Sequence, residues 1–166
     1  MATVSSFMPC LWFDTEGLDA ATLYTSIFDN SRITQVTHYG SAGPRPEGMV
    51  MTVNFELGGQ PFMALNGGPG PIFSEAVSLV VTCDDQAEVD RVWAALTEGG
   101  KEVACGWCQD RFGLSWQVIP AGLPALISDP NPIRVQGALK AMLGMTKIDL
   151  AGMRRGADEA AAANGA

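Results

Sequence analysis

The feature that most constrains the fold of this chain is an internal repeat of a strand, a helix and further strands. In the first copy, Val4 to Phe13 reads as a strand, and apolar residues recur at helical spacing from Asp19 to Phe28. In the second copy, Ala76 to Cys83 is strand-like, and Asp85 with Glu88 has the pattern of a capping box. Because a repeated unit of this kind buries its apolar face only against its neighbour, the repeat predicts an α+β fold of two related modules.

The strands that follow each helix are marked by alternation of apolar and polar residues. Met49 to Leu57 alternates in this way, and Gly58-Gly59 is a hairpin signal at its end. Leu114 to Ile119 alternates too. The side chains of Ser115 and Gln117 are expected to point away from the face that carries Leu114, Trp116 and Val118. Successive side chains of a strand point to opposite faces of the sheet. We therefore expect each sheet to have one apolar face under a helix and one mixed face, either solvated or lining a cavity.

Shifts in composition divide the chain into four segments. Residues 1–68 form the first βαβββ module, and residues 69–120 form a second, more compact module after a Gly/Pro-rich linker. Residues 121–155 show helical patterns and form a tail. The Ala-rich end, 156–166, is predicted to be disordered.

Charge and hydropathy exclude several classes of partner. The 166 residues carry a net charge of -8, and such an acidic surface repels the phosphate backbone of nucleic acids. No apolar run is long enough to span a bilayer, and the N-terminus has no signal-peptide pattern. These features predict a cytoplasmic protein that binds neither nucleic acid nor membrane.

Two residues are candidates for acid–base chemistry. Glu56 falls on the mixed face of its strand, where burial would raise its pKa and make it a base. The alternative is a solvated carboxylate at a strand end. His38 is the only histidine and titrates near neutrality, although a lone histidine is more often structural.

Cys105 and Cys108 have the CxxC spacing of dithiol oxidoreductases. In those proteins the first thiol stands at a helix N-terminus, which lowers its pKa. Here the motif leads into a hairpin signal, Asp110 to Gly113, and not into a helix. The spacing therefore favours small buried side chains, and the role of the pair stays open.

Several motifs along the chain occur together in a known family. They are Cys10-Leu11-Trp12-Phe13-Asp14, Leu23-Tyr24 with Ile27-Phe28, the stretch from Phe55 to Gly68, and Cys105-Gly106-Trp107 with the run from Asp110 to Gln117. In this combination the chain resembles the PhnB-like proteins, often labelled 3-demethylubiquinone-9 3-methyltransferase, of the vicinal oxygen chelate superfamily. The resemblance implies paired βαβββ modules that form a curved mixed sheet around a cavity, usually in a homodimer. The helical C-terminal tail is added to that frame.

The resemblance also implies where a metal would bind. Metal-dependent members carry His, Gln or Glu ligands at four positions, which correspond here to Met8, Ser78, Met63 and Gln117. Only Gln117 is of a ligand type, because Met and Ser supply neither the charge nor the hardness that divalent ions need. We therefore expect no metal and no other cofactor. The segment Asn66 to Gly70 leads into a strand, unlike the Gly-rich turns before a helix that usually bind a methyl donor.

These observations predict a PhnB-like protein that binds a small molecule in the sheet cavity, with a metal-independent reaction left open. The candidate lining, which includes Trp12 as a stacking platform for a flat ligand, consists of Met8, Cys10, Trp12, Glu56, Met63, Ser78, Ser115 and Gln117. One alternative is non-catalytic sequestration of a drug or metabolite, as in bleomycin-resistance relatives. A second alternative is a metal-dependent lyase or dioxygenase.

Overall fold

A computed structural model describes residues 7–165, and the chain divides into two compact units between Ile72 and Phe73. The first unit contains β1 (Cys10–Phe13), α1 (Gly17–Ile27), β2 (Arg32–His38), β3 (Val50–Leu57) and β4 (Gln60–Asn66). The second contains β5 (Ser78–Cys83), α2 (Gln86–Thr97), β6 (Lys101–Glu102), β7 (Trp107–Gln109), β8 (Ser115–Pro120), α3 (Leu123–Ile127), α4 (Pro132–Leu143) and α5 (Leu150–Ala163). The part of the predicted first strand before Phe7 lies outside the described residues.

Each unit contains one four-stranded mixed sheet, and the two sheets have the same topology. Their strand orders are β1-β4-β3-β2 and β5-β8-β7-β6. In each, the first strand pairs in parallel with the last, and the other pairs are antiparallel. The predicted α+β class, with two βαβββ modules and a helical tail, is confirmed.

The core of the first unit lies between α1 and one face of its sheet. Val53 and Phe55 of β3 and Tyr24 of α1 are fully or almost fully buried. The Phe55 ring lies 5.5 Å from that of Phe62 and 6.3 Å from that of Tyr24, measured between centroids. Since burying a large apolar side chain contributes about 1.5–3 kcal/mol, this cluster holds the helix on the sheet.

The core of the second unit lies between α2 and its sheet. Trp116 and Val118 of β8 and Val92 of α2 are buried. The N-terminus of α2 is capped as predicted: the Asp85 carboxylate accepts a hydrogen bond of 2.8 Å from the Glu88 backbone N–H. The Glu88 side chain in turn accepts from the backbone N–H of Asp84, at 2.7 Å.

The backbone from Lys101 to Cys108 is not one continuous strand. It forms two short strands that pair with each other, joined by a turn in which Cys105 and Gly106 have φ of 58° and 81°. A Cβ atom at Gly106 would lie 2.9 Å from Ile148, so the close approach of the tail also favours glycine there.

The tail packs as a small helical cluster on the second unit. Its buried residues, with the partly buried Ile119 against them, are Leu123, Ala138, Ile148, Met153 and Ala157. Helices α4 and α5 approach closely at Gly137, which has no side chain. A Cβ atom there would lie only 2.3 Å from the carbonyl oxygen of Gly156. Within residues 7–165, no helix combines the length and hydropathy needed to cross a membrane.

The tail differs from the sequence prediction in two places. Residues 145–149 are not helical, because the backbone N–H groups of Cys105 and Gly106 donate to the carbonyls of Met145 and Thr146 instead. The predicted disorder of 156–166 is replaced by helix as far as Ala163, where Ala157 and Ala161 are buried. An ion pair of 2.6 Å between Arg134 and Asp158 also joins this stretch to α4.

Candidate functional site

The side of each sheet opposite its helix is called here the open face, and strand register defines its rows. On the first open face, Cys10 pairs with Met63, Met63 with Asn54, and Asn54 with Gln35. Paired residues share a face, so these four side chains form one row across the sheet. The row brings the predicted residues Cys10 and Met63 together and adds two amides.

Polar groups in the neighbouring row on the first open face already have hydrogen-bond partners. The row runs Trp12, Leu65, Thr52 and Thr37. The hydroxyls of Thr37 and Thr52 hydrogen-bond each other at 2.6 Å. The Trp12 indole N–H donates to the Gly68 carbonyl at 2.8 Å, which ties this ring to the linker after β4.

The two acid–base candidates lie far apart. Glu56 forms an ion pair with Arg32 at 2.9 Å, across the pairing of β2 with β3. His38 is exposed and pairs with Val50, six residues from Glu56 along β3. Six residues of strand span about 20 Å, so these two groups do not share one site.

The second open face carries a row of polar residues. Ser78 pairs with Ser115, Ser115 with Gln109, and Gln109 with Lys101. From the adjacent row, the Gln117 side chain donates an N–H to the Ser78 hydroxyl oxygen at 2.9 Å. The structure therefore places Ser78, Ser115 and Gln117 next to one another.

Ser115 differs from the two other polar residues buried in the described part of the chain. Asn66 accepts from the Gly17 N–H at 2.8 Å and donates to the Val50 carbonyl at 3.1 Å. Asp110 accepts from three donors: the backbone N–H groups of Phe112 and Leu114 and the Trp116 indole. The Ser115 hydroxyl is 0% exposed and has no hydrogen-bond partner within residues 7–165.

The first open face also holds a polar atom without a partner. The Asn54 amide donates to the side-chain oxygen of Gln35 at 3.2 Å, but its own oxygen is buried and accepts no bond within residues 7–165. The helix-side polar residues are bonded, whereas each open face has one buried group left over. A buried polar group without a partner is unusual in proteins.

The residues at the positions of a superfamily metal site form no ligand set. Ser78 and Gln117 are in contact, Met63 lies beside Cys10, and Met8 is exposed ahead of β1. Within residues 7–165 no three His, Cys, Asp or Glu side chains are close enough to hold a metal ion. The donors present, thioether, hydroxyl and amide, do not fit a divalent ion.

The four cysteines are free thiols. Burial, with the nearby carboxylates Asp110 and Glu102, raises the pKa of Cys108 to about 12. Burial and the charge of Glu88 raise that of Cys83 to about 11. Partial burial also raises the pKa of Cys10. Burial and the neighbouring carboxylates thus keep the Cys108 thiol protonated at neutral pH, unlike the activated thiolate of a CxxC oxidoreductase.

A separate groove of about 610 Å³ lies between α4 and α5. It is lined by Pro132, Ile133, Gln136, Gly137, Lys140, Ala160 and Asn164. None of the residues predicted for the site lines it.

Sequence reasoning missed Asn54, Gln35, Gln109 and Lys101. Alternation alone placed Asn54 on the mixed face, but nothing in the sequence indicated that its oxygen is unpaired. Gln109 and Lys101 belong to strands of three and two residues, too short for a periodic signal. Pairing register, which only the structure supplies, brings them beside Ser115.

The comparison with protein families gives a match over most of the chain. The model of the family described as 3-demethylubiquinone-9 3-methyltransferase matches residues 5–119. This range ends at Ile119, so the tail helices α3, α4 and α5 lie outside it. Among curated proteins, no relative matches the chain.

Solved structures resemble most of the chain. A PhnB protein from Bacillus cereus, described as a 3-demethylubiquinone-9 3-methyltransferase, is 32% identical with a TM-score of 0.66, over 70% of this chain and 100% of its own. Protein PA1353 from Pseudomonas aeruginosa is 22% identical with a TM-score of 0.58, over 70% and 98%. A glyoxylase/bleomycin resistance protein/dioxygenase domain from Frankia sp. is 13% identical with a TM-score of 0.43, over 72% and 92%.

Proposed function

The chain belongs to the 3-demethylubiquinone-9 3-methyltransferase family of PhnB-like proteins in the vicinal oxygen chelate superfamily, and on this basis we propose that it binds a small molecule at the open faces of its sheets. The observation that carries the proposal is the Ser115 hydroxyl, fully buried with no partner within residues 7–165. The Asn54 oxygen on the first open face supports it in the same way.

The energy of such a group favours a bound ligand. A buried hydroxyl without a partner costs about 1–3 kcal/mol relative to one that is hydrogen-bonded. A ligand atom that accepts or donates at Ser115 recovers this free energy, and an apolar ligand does not. Ser115 would therefore select a ligand with a polar atom at one defined position.

The neighbours of Ser115 supply the rest of a binding surface. The Ser78 hydroxyl accepts a hydrogen bond from Gln117, and its own O–H can still donate to a ligand. The side-chain oxygen of Gln117 can accept a bond from a ligand. Val80 lies on the same face, largely exposed, and provides apolar contact. A mainly apolar surface with a few convergent polar groups is typical of small-molecule sites. On the first open face, Met63 and Cys10 would make the apolar contacts.

The proposal includes neither a methyl donor nor a metal. The Gly-rich segment after β4 leads into β5, so it lacks the helix N-terminus that cradles such cofactors. The residues at the metal positions are chemically unsuited to a divalent ion, as described above. Binding by neutral hydrogen bonds and apolar contact is the function that these side chains support best.

Protein-observed NMR tests the proposal directly. Isotope-labelled full-length chain would be titrated with a library of small aromatic and amide fragments, and shifted resonances mapped on the fold. We expect the shifts to concentrate at Ser78, Ser115 and Gln117, with a weaker set around Asn54. Shifts confined to the groove between α4 and α5 would show that the binding surface is elsewhere.

A matched pair of variants sharpens the assignment. Gln117→Ala removes the bond to Ser78, whereas Gln136→Ala removes the same side chain from the tail groove. We expect the first to weaken fragment binding about tenfold and the second to leave it unchanged, because one polar contact is worth about 1.4 kcal/mol. Mass spectrometry of a bound compound over time then separates turnover from sequestration.

A further inference from the structure

The two sheets place a cation at the same point of their open faces. In the first sheet Arg32 pairs with Glu56, and Glu56 with Pro61. In the second sheet Lys101 pairs with Gln109, and Gln109 with Ser115. Each triplet starts on the edge strand and ends on the strand that pairs with the first strand of the module. Arg32 and Lys101 are therefore equivalent in the repeat.

The equivalent residues differ in how the positive charge is compensated. Arg32 is neutralised by Glu56 at 2.9 Å. In the second sheet the place of Glu56 is taken by the neutral Gln109, and Lys101 makes no ion pair with any residue between 7 and 165. The carboxylate next to Lys101 in sequence, Glu102, faces the helix side and accepts from the Trp93 indole at 2.8 Å.

We propose that the row Lys101, Gln109 and Ser115 binds an anionic oxygen group, such as a carboxylate, on the ligand of the second open face. The inference rests on the proposed function and adds the ligand's chemical class. It follows from three features together: an uncompensated ammonium, neutral donors in the same row, and a fully buried hydroxyl that lacks a partner.

The spacing of the row suits a group of this size. Neighbouring strands are about 4.8 Å apart, so Lys101 and Ser115 start about 10 Å apart with Gln109 between them. A lysine side chain can span most of the distance to the neighbouring strand. A carboxylate bound above Gln109 would then contact the ammonium on one side and the Ser115 hydroxyl on the other. Hydrogen bonds to a charged group are about twice as strong as neutral ones.

The test uses two probes of the same shape, benzoate and benzamide. Their affinities for the full-length chain would be measured by NMR titration at low salt, following Ser115 and Gln109. We expect benzoate to bind about tenfold more tightly than benzamide, because only benzoate forms charge-assisted bonds. The preference should shrink at high salt, because the exposed ammonium is screened.

Two methionine variants locate the preference. Lys101→Met should abolish the preference for benzoate without changing the affinity for benzamide. Arg32→Met, at the equivalent position of the first sheet, should leave both affinities at the second open face unchanged. Both cations are exposed on edge strands, so neither change is expected to prevent folding.

Other outcomes distinguish failure of the anionic ligand class from failure of small-molecule binding itself. Equal affinity for both probes, or a preference that survives Lys101→Met, would overturn the anionic class while leaving small-molecule binding in place. Absence of benzoate binding at this face would also overturn it. Failure of the whole fragment library to shift the open faces would contradict the proposed function itself.

Discussion

The two sheets share one backbone plan and differ in the chemistry of their open faces. Strand order, pairing direction and the position of the edge cation are the same in both. On the first open face the positive charge of Arg32 is neutralised by the carboxylate of Glu56. The second leaves Lys101 without a counter-charge and Ser115 without a bond among residues 7–165. Duplication therefore specifies a shared backbone plan, and a few side chains make the two open faces chemically different.

The buried anchors of the two units differ as well. In the first unit an uncharged amide, Asn66, joins α1 to β3. In the second a carboxylate, Asp110, holds the hairpin before β8 and the ring of Trp116. A charged acceptor with three donors contributes more than a neutral group with two bonds, since each charge-assisted bond is worth about 1.5–3 kcal/mol.

Removal of the buried anchors should change stability more than any other substitution considered. Asp110→Ala should lower the free energy of unfolding by about 3–5 kcal/mol, because three donors, two of them buried, lose their acceptor. Asn66→Ala should lower it by about 2–3 kcal/mol, because the Gly17 N–H loses its acceptor and the Val50 carbonyl its donor. Urea denaturation of both variants measures the difference. An equal or reversed order would mean that the carboxylate is not the stronger anchor.

Thiol reactivity gives the next largest contrast between the units. At pH 8 a thiol with a pKa of about 12 is thiolate in only about one molecule in ten thousand, so Cys108 should resist alkylation. Cys10, exposed at the start of β1, should react at least about a hundredfold faster. The rate at Cys108 should rise with pH, because the thiolate fraction rises. Mass spectrometry after iodoacetamide treatment measures both.

Denaturant provides the control for that measurement. In guanidinium chloride the thiols should react at similar rates, since burial no longer protects any of them. Rapid modification of Cys108 in the native chain would contradict its protonated state and would reopen a redox role for the CxxC spacing.

A smaller effect distinguishes the two helix N-termini. Asp85 caps α2 through the Glu88 N–H, whereas Glu16 at the start of α1 makes no side-chain capping bond. Asp85→Ala should therefore lower the free energy of unfolding by about 1 kcal/mol, and Glu16→Ala by a few tenths at most. Thermal unfolding of the pair decides this, and a similar loss in both would argue against the capping bond as the cause.

The frame was predictable because its signals are local. Alternation in Met49 to Leu57 and the cap at Asp85 correctly indicated a strand and a helix. The tail was predicted less well, since residues 145–149 follow hydrogen bonds to Cys105 and Gly106 that local pattern does not contain. The same reason applies at the site: register across strands, invisible in one sequence, brings Lys101 and Gln109 into line with Ser115.

Urea unfolding of Ser115→Ala, with and without saturating benzamide, tests whether the Ser115 hydroxyl is a ligand-binding group. Without the probe, the variant should be as stable as the wild type or up to about 1 kcal/mol more stable, because a buried hydroxyl without a partner is removed. The stabilisation by benzamide should be smaller than in the wild type, with exposed Ser41→Ala unchanged in both respects. A variant that is less stable alone and gains the same stabilisation from benzamide would contradict the account.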